Sequence, residues 1–273
     1  MKRIIVLLIA IILLLFFYDY SSKNMGEEKT VVDNETASST KITIIYDNYV
    51  IDERLKSAHG FSCLVEIDDK KILFDTGGDS ETLLSNMEML GIKPTQIDLV
   101  VLSHIHGDHT GGMHGFLEKN SKATMYISSS FPDSFREEIK SIGANFVDVS
   151  ESIKIWDSVY STGELGTWIK EQSLVIDAEK GLIVITGCAH PGIINIVRKV
   201  KEQFNKNVYL VLGGFHLSEA SDPELKSIIK EFRQLGVQKV APCHCSGDRA
   251  RELFKTEYKD NFIDLGVGNI INI

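Results

Sequence analysis

The sequence predicts a mixed α/β fold, and three observations point to it. Short apolar, β-rich runs alternate along residues 41–273 with amphipathic stretches that carry helix start and stop signals. Some neighbouring runs are separated only by turn residues, so hairpins are interspersed among the crossovers. Four histidines, His104, His190, His216 and His244, each follow the apolar end of one such run, in VVLSH, VITGCAH, LVLGGFH and VAPCH. In sheets covered by helices, ligands gather at the carboxyl ends of strands, so these four segments are expected to converge on one edge.

The elements follow in order. KITIIYDNYV (41–50) opens a strand, and FSCLVEI and KILFDTGG supply two more around the turn-like DDK. DSETLLSNMEMLGI reads as a helix with Asp79 or Ser80 as N-cap and Gly91 as its stop, with Met87 and Met89 expected in the core. QIDLVVLS is a short, mostly apolar run of the kind buried on both faces, and it leads directly into HIHGDH. ATMYIS (strand), PDSFREEIKSIG (helix) and ANFVDV (strand) continue the alternation. SLVIDAEKGLIVITG (173–187) is a hairpin, and PGIINIVRKVKEQF is a helix with Pro191 in its first turn. NVYLVLGG, DPELKSIIKEFRQLG, VQKVAPC, SGDRARELFKTEY and GNIINI then read strand, helix, strand, helix, strand.

The amino terminus differs from this pattern. Lys2 and Arg3 precede fifteen uncharged residues, IIVLLIAIILLLFFY (4–18). A spanning helix needs about 20 residues, and the flanking aromatics extend this shorter run toward that length. No small-x-small cleavage site follows, so residues 1–20 read as a membrane anchor, or as a signal segment if cleaved. The basic flank would stay inside and the domain would face outward, secreted in the cleaved case. Residues 21–41 are polar and aperiodic, a linker, and the folded domain is expected over 42–273.

The net charge of −9 argues against a nonspecific nucleic-acid partner, because phosphate backbones are bound by basic stripes. The four cysteines, Cys63, Cys188, Cys243 and Cys245, do not make a disulfide framework.

The chemistry concentrates in LSHIHGDHTGG (102–112). His104 and His106 lie two apart, so an extended chain points both the same way, fit to grip one ion. Gly107 lets the chain turn, and Asp108 and His109 then face a second direction, toward a second ion. The glycines of TGG allow close backbone approach. His216 follows two glycines at another strand end and is a candidate ligand or general acid. His59 in AHGFSC is a candidate substrate contact, and His114 reads as ordinary helix surface.

HIHGDH resembles the H-x-H-x-D-H signature of the metallo-β-lactamase superfamily, with LFDTGG (73–78) similar to that family's early D-T-G element. DNY (47–49), HGFSCLVE, TGCAHPGI, GGFHL and PCHCSG resemble a narrower branch, the 7,8-dihydropterin-6-yl-methyl-4-(β-D-ribofuranosyl)aminobenzene 5′-phosphate synthases. The resemblance implies an αββα four-layer sandwich. It also implies two divalent ions, zinc first, with manganese or iron compatible. His104, His106 and His190 would hold one ion; Asp108, His109 and His244 would hold the other; Asp75 would orient ligands from behind. The family commonly ends its second hairpin in GD, whose aspartate bridges the metals. Here Cys188 stands in that place, as a thiolate ligand or a packed thiol.

The function so implied is metal-dependent hydrolysis of a small ester, lactone or phosphoester by a metal-activated water, with a link to pterin phosphate chemistry. Asp108 and His216 are the candidate proton-transfer residues. Two other readings share the fold: a non-catalytic ligand-binding or sensor module, and an iron-loaded oxidoreductase.

Overall fold

The computed structural model describes residues 39–273. Two sheets face each other. The first has seven strands: β1 (Thr40–Tyr46), β2 (Ser62–Ile67), β3 (Lys70–Phe74), β4 (Leu99–Val101), β5 (Thr124–Ser128), β6 (Asn145–Val149) and, at its edge, β13 (Ile270–Asn272). Their order is β13-β1-β2-β3-β4-β5-β6. The second has β7 (Ile153–Trp156), β8 (Val159–Ser161), β9 (Leu174–Ala178), β10 (Gly181–Thr186), β11 (Val208–Gly214) and β12 (Lys239–Cys243), in the order β12-β11-β10-β9-β8-β7.

Period-two alternation sends side chains to opposite faces of each strand. Ile72 and Phe74 of β3, and Ile183 and Ile185 of β10, meet in the core between the sheets. Leu73 faces the other way, under α1 (Ser80–Met89) and α3 (Met113–Lys119), beside Leu83, Met87 and Phe116. Leu182 and Val184 pack outward under α5 (Ile193–Phe204), α6 (Asp222–Gln234) and α7 (Asp248–Tyr258), against Ile196, Phe232 and Phe254. Two further helices complete the set, the one-turn α2 (Gly107–Thr110) and α4 (Asp133–Ser141). The layers are therefore helix, sheet, sheet, helix, as the resemblance implies.

Parallel pairing sets the position of the site. Strands β3 to β6 run parallel to one another, as do β10, β11 and β12. Within each parallel set the carboxyl ends lie at one edge, and the four predicted histidine segments leave from those ends.

Several expectations are corrected. No helix among the described residues is long and apolar enough to cross a membrane. This overturns the expected membrane-anchored, outward-facing protein and the anchor helix in the fold class; the apolar run 4–18 lies outside the described residues. Met89 is 55% exposed and not part of the core, whereas Met87 is fully buried. Strands β7 and β8 went unrecognised because each is only three or four residues long, with charged residues between and within them. The helix at 80–89 starts as expected: the Asp79 side chain accepts from the Thr82 N–H at 2.7 Å. The same carboxylate accepts from the Tyr46 hydroxyl at 2.7 Å, which ties the helix to β1.

Asp79→Ala is expected to lower folding stability by about 1–2 kcal/mol, the usual cost of a lost N-cap, as read by urea unfolding. Burial works against ionisation of Asp79, but the Thr82 N–H and the Tyr46 hydroxyl outweigh it and lower its pKa. A depressed folded-state pKa gives stability that is complete above the unfolded value of about 4 and is lost as pH falls through the folded one. The charge-dependent part of the difference between wild type and variant should therefore shrink below about pH 4.

Candidate metal centre

Asp75 directly follows β3 in the left-handed backbone region, at φ 56°, and is fully buried. Its Oδ1 accepts from the Ser103 N–H at 2.6 Å, and its Oδ2 accepts from the Ser103 hydroxyl at 2.8 Å. His109 Nδ1 lies 2.7 Å from the same Oδ2. A carboxylate can only accept, so His109 carries its proton on Nδ1 and turns a bare Nε2 away from Asp75.

The serine extends the argument. Its one hydroxyl proton goes to Asp75, so its oxygen accepts from His104 Nδ1, 2.9 Å away. His104 Nε2 is then also a free lone pair. At the far side, Asn48 Oδ1 accepts from the Gly60 N–H at 3.1 Å and stands 2.9 Å from His244 Nδ1. That fixes the His244 tautomer in the same sense, with Nε2 free.

These lone pairs face further ligand-type atoms, among them the Asp108 carboxylate, which can only accept. His104 Nε2 is 3.1 Å from His106 Nδ1. His109 Nε2 is 3.2 Å from Cys188 Sγ and 3.5 Å from Asp108 Oδ2. His244 Nε2 is 3.2 Å from Asp108 Oδ2 and 3.4 Å from Cys188 Sγ. A lone pair against a carboxylate, as His109 and His244 stand to Asp108, is repulsive at such distances unless a proton or a shared cation lies between. Ligands at 2.0–2.3 Å around a tetrahedral ion stand about 3.3–3.7 Å apart, close to these separations. His190 adds an Nε2 that is buried without a hydrogen-bond partner.

Two sets result, each with its ligand atoms within 4.8 Å of one another: His104, His106 and His190, and Asp108, His109, Cys188 and His244. All six predicted ligands come together, and Cys188 lies with the second set. The two sets touch, with His104 and His109 ring centroids 4.2 Å apart.

Local structure explains the division. His106 is still extended, at φ −62° and ψ 145°, and is the N-cap of α2; Asp108 and His109 are inside that single turn, so they point elsewhere. The TGG glycines serve packing and not the ions. A Cβ on Gly111 would lie 2.1 Å from the Gly78 carbonyl oxygen, so this loop closes on the one after β3.

The electrostatics follow burial and neighbours. Burial, then His109, His190 and His106, hold His104 well below the usual histidine range, so it is neutral. Burial with His216 and His106 pulls His190 down to about 4. For Asp108 burial acts in the opposite sense, but His244 and His109, which as imidazoliums take up a proton where no cation is bound, outweigh it and lower its pKa.

Glu171 was not anticipated. Wholly buried, it accepts from the backbone N–H groups of Gly187, Cys188 and Ala189 on Oε1 and of His190 on Oε2, all at 2.8–3.1 Å. It therefore shapes the loop that carries Cys188 and His190, and burial pushes its pKa up to about 7. Ser103 and Asn48 were also missed as orienting residues, because neither a serine before a histidine nor an asparagine near a strand end is a distinctive signal. His59 is 71% exposed and reaches Asp108 Oδ2 at 3.3 Å, while exposed His216 stands beside His190 with ring centroids 4.4 Å apart. His114 lies on α3 against Glu138, away from the centre.

A family model described as the metallo-beta-lactamase superfamily matches residues 58–198. The chain belongs to this superfamily. A relative from Methanocaldococcus jannaschii, named 7,8-dihydropterin-6-methyl-4-(beta-D-ribofuranosyl)-aminobenzene-5′-phosphate synthase, is 33% identical over 264 residues, covering 79% of this chain and 90% of its own. Among metallo-beta-lactamase superfamily members, the chain falls in the branch of that synthase. A crystal structure described as a metal-dependent hydrolase of the beta-lactamase superfamily is 30% identical and superposes with a TM-score of 0.73, over 86% of this chain and 99% of its own. The metallo-beta-lactamase fold protein YhfI from Bacillus subtilis shares the fold at a TM-score of 0.65 and 15% identity, over 86% and 99% of the two chains. This fold usually binds divalent metals, in keeping with the two ligand sets.

Asp75→Asn is expected to weaken zinc binding by about 10–100-fold, the usual effect of losing an orienting partner. Competition titration against a chromophoric chelator reads this directly, and unchanged affinity would refute the orienting role.

Proposed function

We propose that this protein is a metal-dependent hydrolase acting on a small ester or phosphoester, in the chemical neighbourhood of the pterin phosphate named for its Methanocaldococcus relative. The observation that carries the reading is the facing of the bare His109 and His244 nitrogens and the Asp108 carboxylate across 3.2–3.5 Å, which a cation relieves. His104, His106 and His190 would hold one ion, and Asp108, His109, Cys188 and His244 a second, with zinc first among the compatible metals. Such ions supply Lewis acidity and bring the pKa of a water toward neutrality.

The chain's own groups do the remaining work. Asp75 and Ser103 hold His109 and His104 in one tautomer, and Asn48 does the same for His244. Asp108 holds negative charge where a water would lose its proton. His216, exposed beside His190, is placed to deliver a proton to a leaving oxygen. His59 opens onto the Asp108 side and is suited to contact substrate.

A cavity of about 600 Å³ lies against His190 and His216 and suits a small molecule. Trp168, 93% exposed, stands in its wall with Asn195 and Lys199. The ring offers a stacking face to a flat heterocycle, and the lysine a counter-charge to phosphate.

Metal analysis of the purified full-length protein beside a His106→Ala, Asp108→Ala double variant tests the proposal. At least two equivalents of metal in the wild type are expected, one for each of the two ligand sets, with fewer in the variant together with lost turnover of phosphoester substrates. A metal-loaded wild type that hydrolyses no ester, lactone or phosphoester would leave a binding module in place of an enzyme.

A further inference from the structure

Cys188 takes part in more than the second set. Its Sγ also lies within 4.8 Å of a ring nitrogen of His216 and of Cys245 Sγ. These residues come from three separate segments, the loops after β10 and β11 and the turn after β12. We propose that Cys188, His216 and Cys245 form a third, sulfur-rich metal site, in which Cys188 is a shared thiolate and one coordination position stays open toward the cavity. It goes beyond the hydrolytic reading by giving Cys245 a role, and His216 would serve there as a ligand in place of a proton donor.

The backbone around the three residues is built to bring them together. His216 has φ 53°, a conformation costly for a residue with a Cβ, and it follows Gly213 at φ 113°. A Cβ on Gly214 would stand 2.7 Å from Cys245 Sγ and 3.1 Å from the Cys188 Cα, so any side chain there would intrude between the two cysteines. The Phe215 N–H donates to Ser246 Oγ at 3.0 Å, which ties the His216 loop to the turn carrying Cys245. All four cysteines are free, and Cys245 is partly accessible while Cys188 is buried.

Ligand chemistry defines the occupant. Two sulfurs and an imidazole favour a borderline-soft ion such as zinc, or its probes cobalt(II) and cadmium(II), over magnesium or calcium. Three protein ligands leave a fourth tetrahedral position, the arrangement of reactive and not of closed structural sites. His216 lines both the 600 Å³ cavity and a neighbouring one of about 400 Å³, so the open position would face substrate space. Asp108 and the two thiolates also offer the negative charge that an additional dication requires.

The test loads metal-free, reduced, full-length protein with cobalt(II). Bound equivalents and the sulfur-to-cobalt charge-transfer absorption are measured in wild type, Cys245→Ser, His216→Ala and His106→Ala. In Cys245→Ser one equivalent should be lost and the band should fall roughly threefold, because one sulfur–cobalt bond of three remains. His106→Ala should lose an equivalent yet keep the band, which separates a failure of the histidine set from a failure of this site. A folded Cys245→Ser protein with wild-type equivalents and absorption would overturn the proposal. If that variant does not fold, His216→Ala carries the same test: loss of one equivalent supports the site, and unchanged equivalents overturn it.

Discussion

The carboxylate of Asp75 is the interaction on which the centre depends. It is buried with no lysine or arginine paired to it among the described residues, a costly placement unless every oxygen is hydrogen-bonded. Three donors satisfy it: the Ser103 amide, the Ser103 hydroxyl and His109. Each donor does a second job. The amide holds the end of β4 against the end of β3, the hydroxyl is committed so that its oxygen accepts from His104, and His109 is fixed with Nε2 outward. One charge thus settles the protonation of two ligands that belong to different sets. The orientation exists before any ion arrives, so ordering these rings is not charged against metal affinity.

A second buried carboxylate does for the other sheet what Asp75 does for the first. Glu171 gathers four consecutive backbone amides, Gly187 to His190, and so bends the loop after β10 back over the site. That bend places Ala189 at φ 63°. Asp75, His216 and His244 adopt the same left-handed region, so half of the eight non-glycine residues with positive φ among the described residues lie at this one centre. Backbone strain of this kind persists only where surrounding contacts over-determine it. Here those contacts are the two carboxylates and the parallel strand ends that they clamp. The core between the sheets supplies rigidity, and the strain is concentrated at the edge, where the ligands sit.

This division explains how much could be read from the residues. Periodicity reports which face of a strand or helix is buried, so the layers and most elements were legible, from the alternation of Ile72, Leu73 and Phe74 to the Asp79 cap. The ligands were legible because imidazole and carboxylate side chains at strand ends have few other uses in such density. The orienting residues were not, since their role lies in a proton's position and leaves no spacing behind. Glu171 shows the limit most clearly. It precedes a strand in an unremarkable EQSLVI, and its function appears only once β9 and β10 pair and bring residue 171 under the amides of residues 187–190. The short strands β7 and β8 escaped for a different reason: three or four residues carry too few alternations to be distinguished from a loop.

Cys188 connects these themes. A carboxylate at that position would offer two hard oxygens, able to touch two ions at once, and would bring another negative charge into a region that already holds Asp75, Asp108 and Glu171. A thiol offers one soft, polarisable atom, neutral until a metal or base removes its proton. The neighbouring Cys245 sulfur, and after it burial, work against ionisation of Cys188, since two thiolates at that separation repel. The exchange therefore lowers the cost of the metal-free state, in which a fourth carboxylate would have to be neutralised. It also moves the centre's preference from oxygen-seeking ions toward zinc and its soft relatives. Binding then becomes coupled to release of the thiol proton, so affinity for such ions should rise with pH more steeply than in a centre bridged by aspartate.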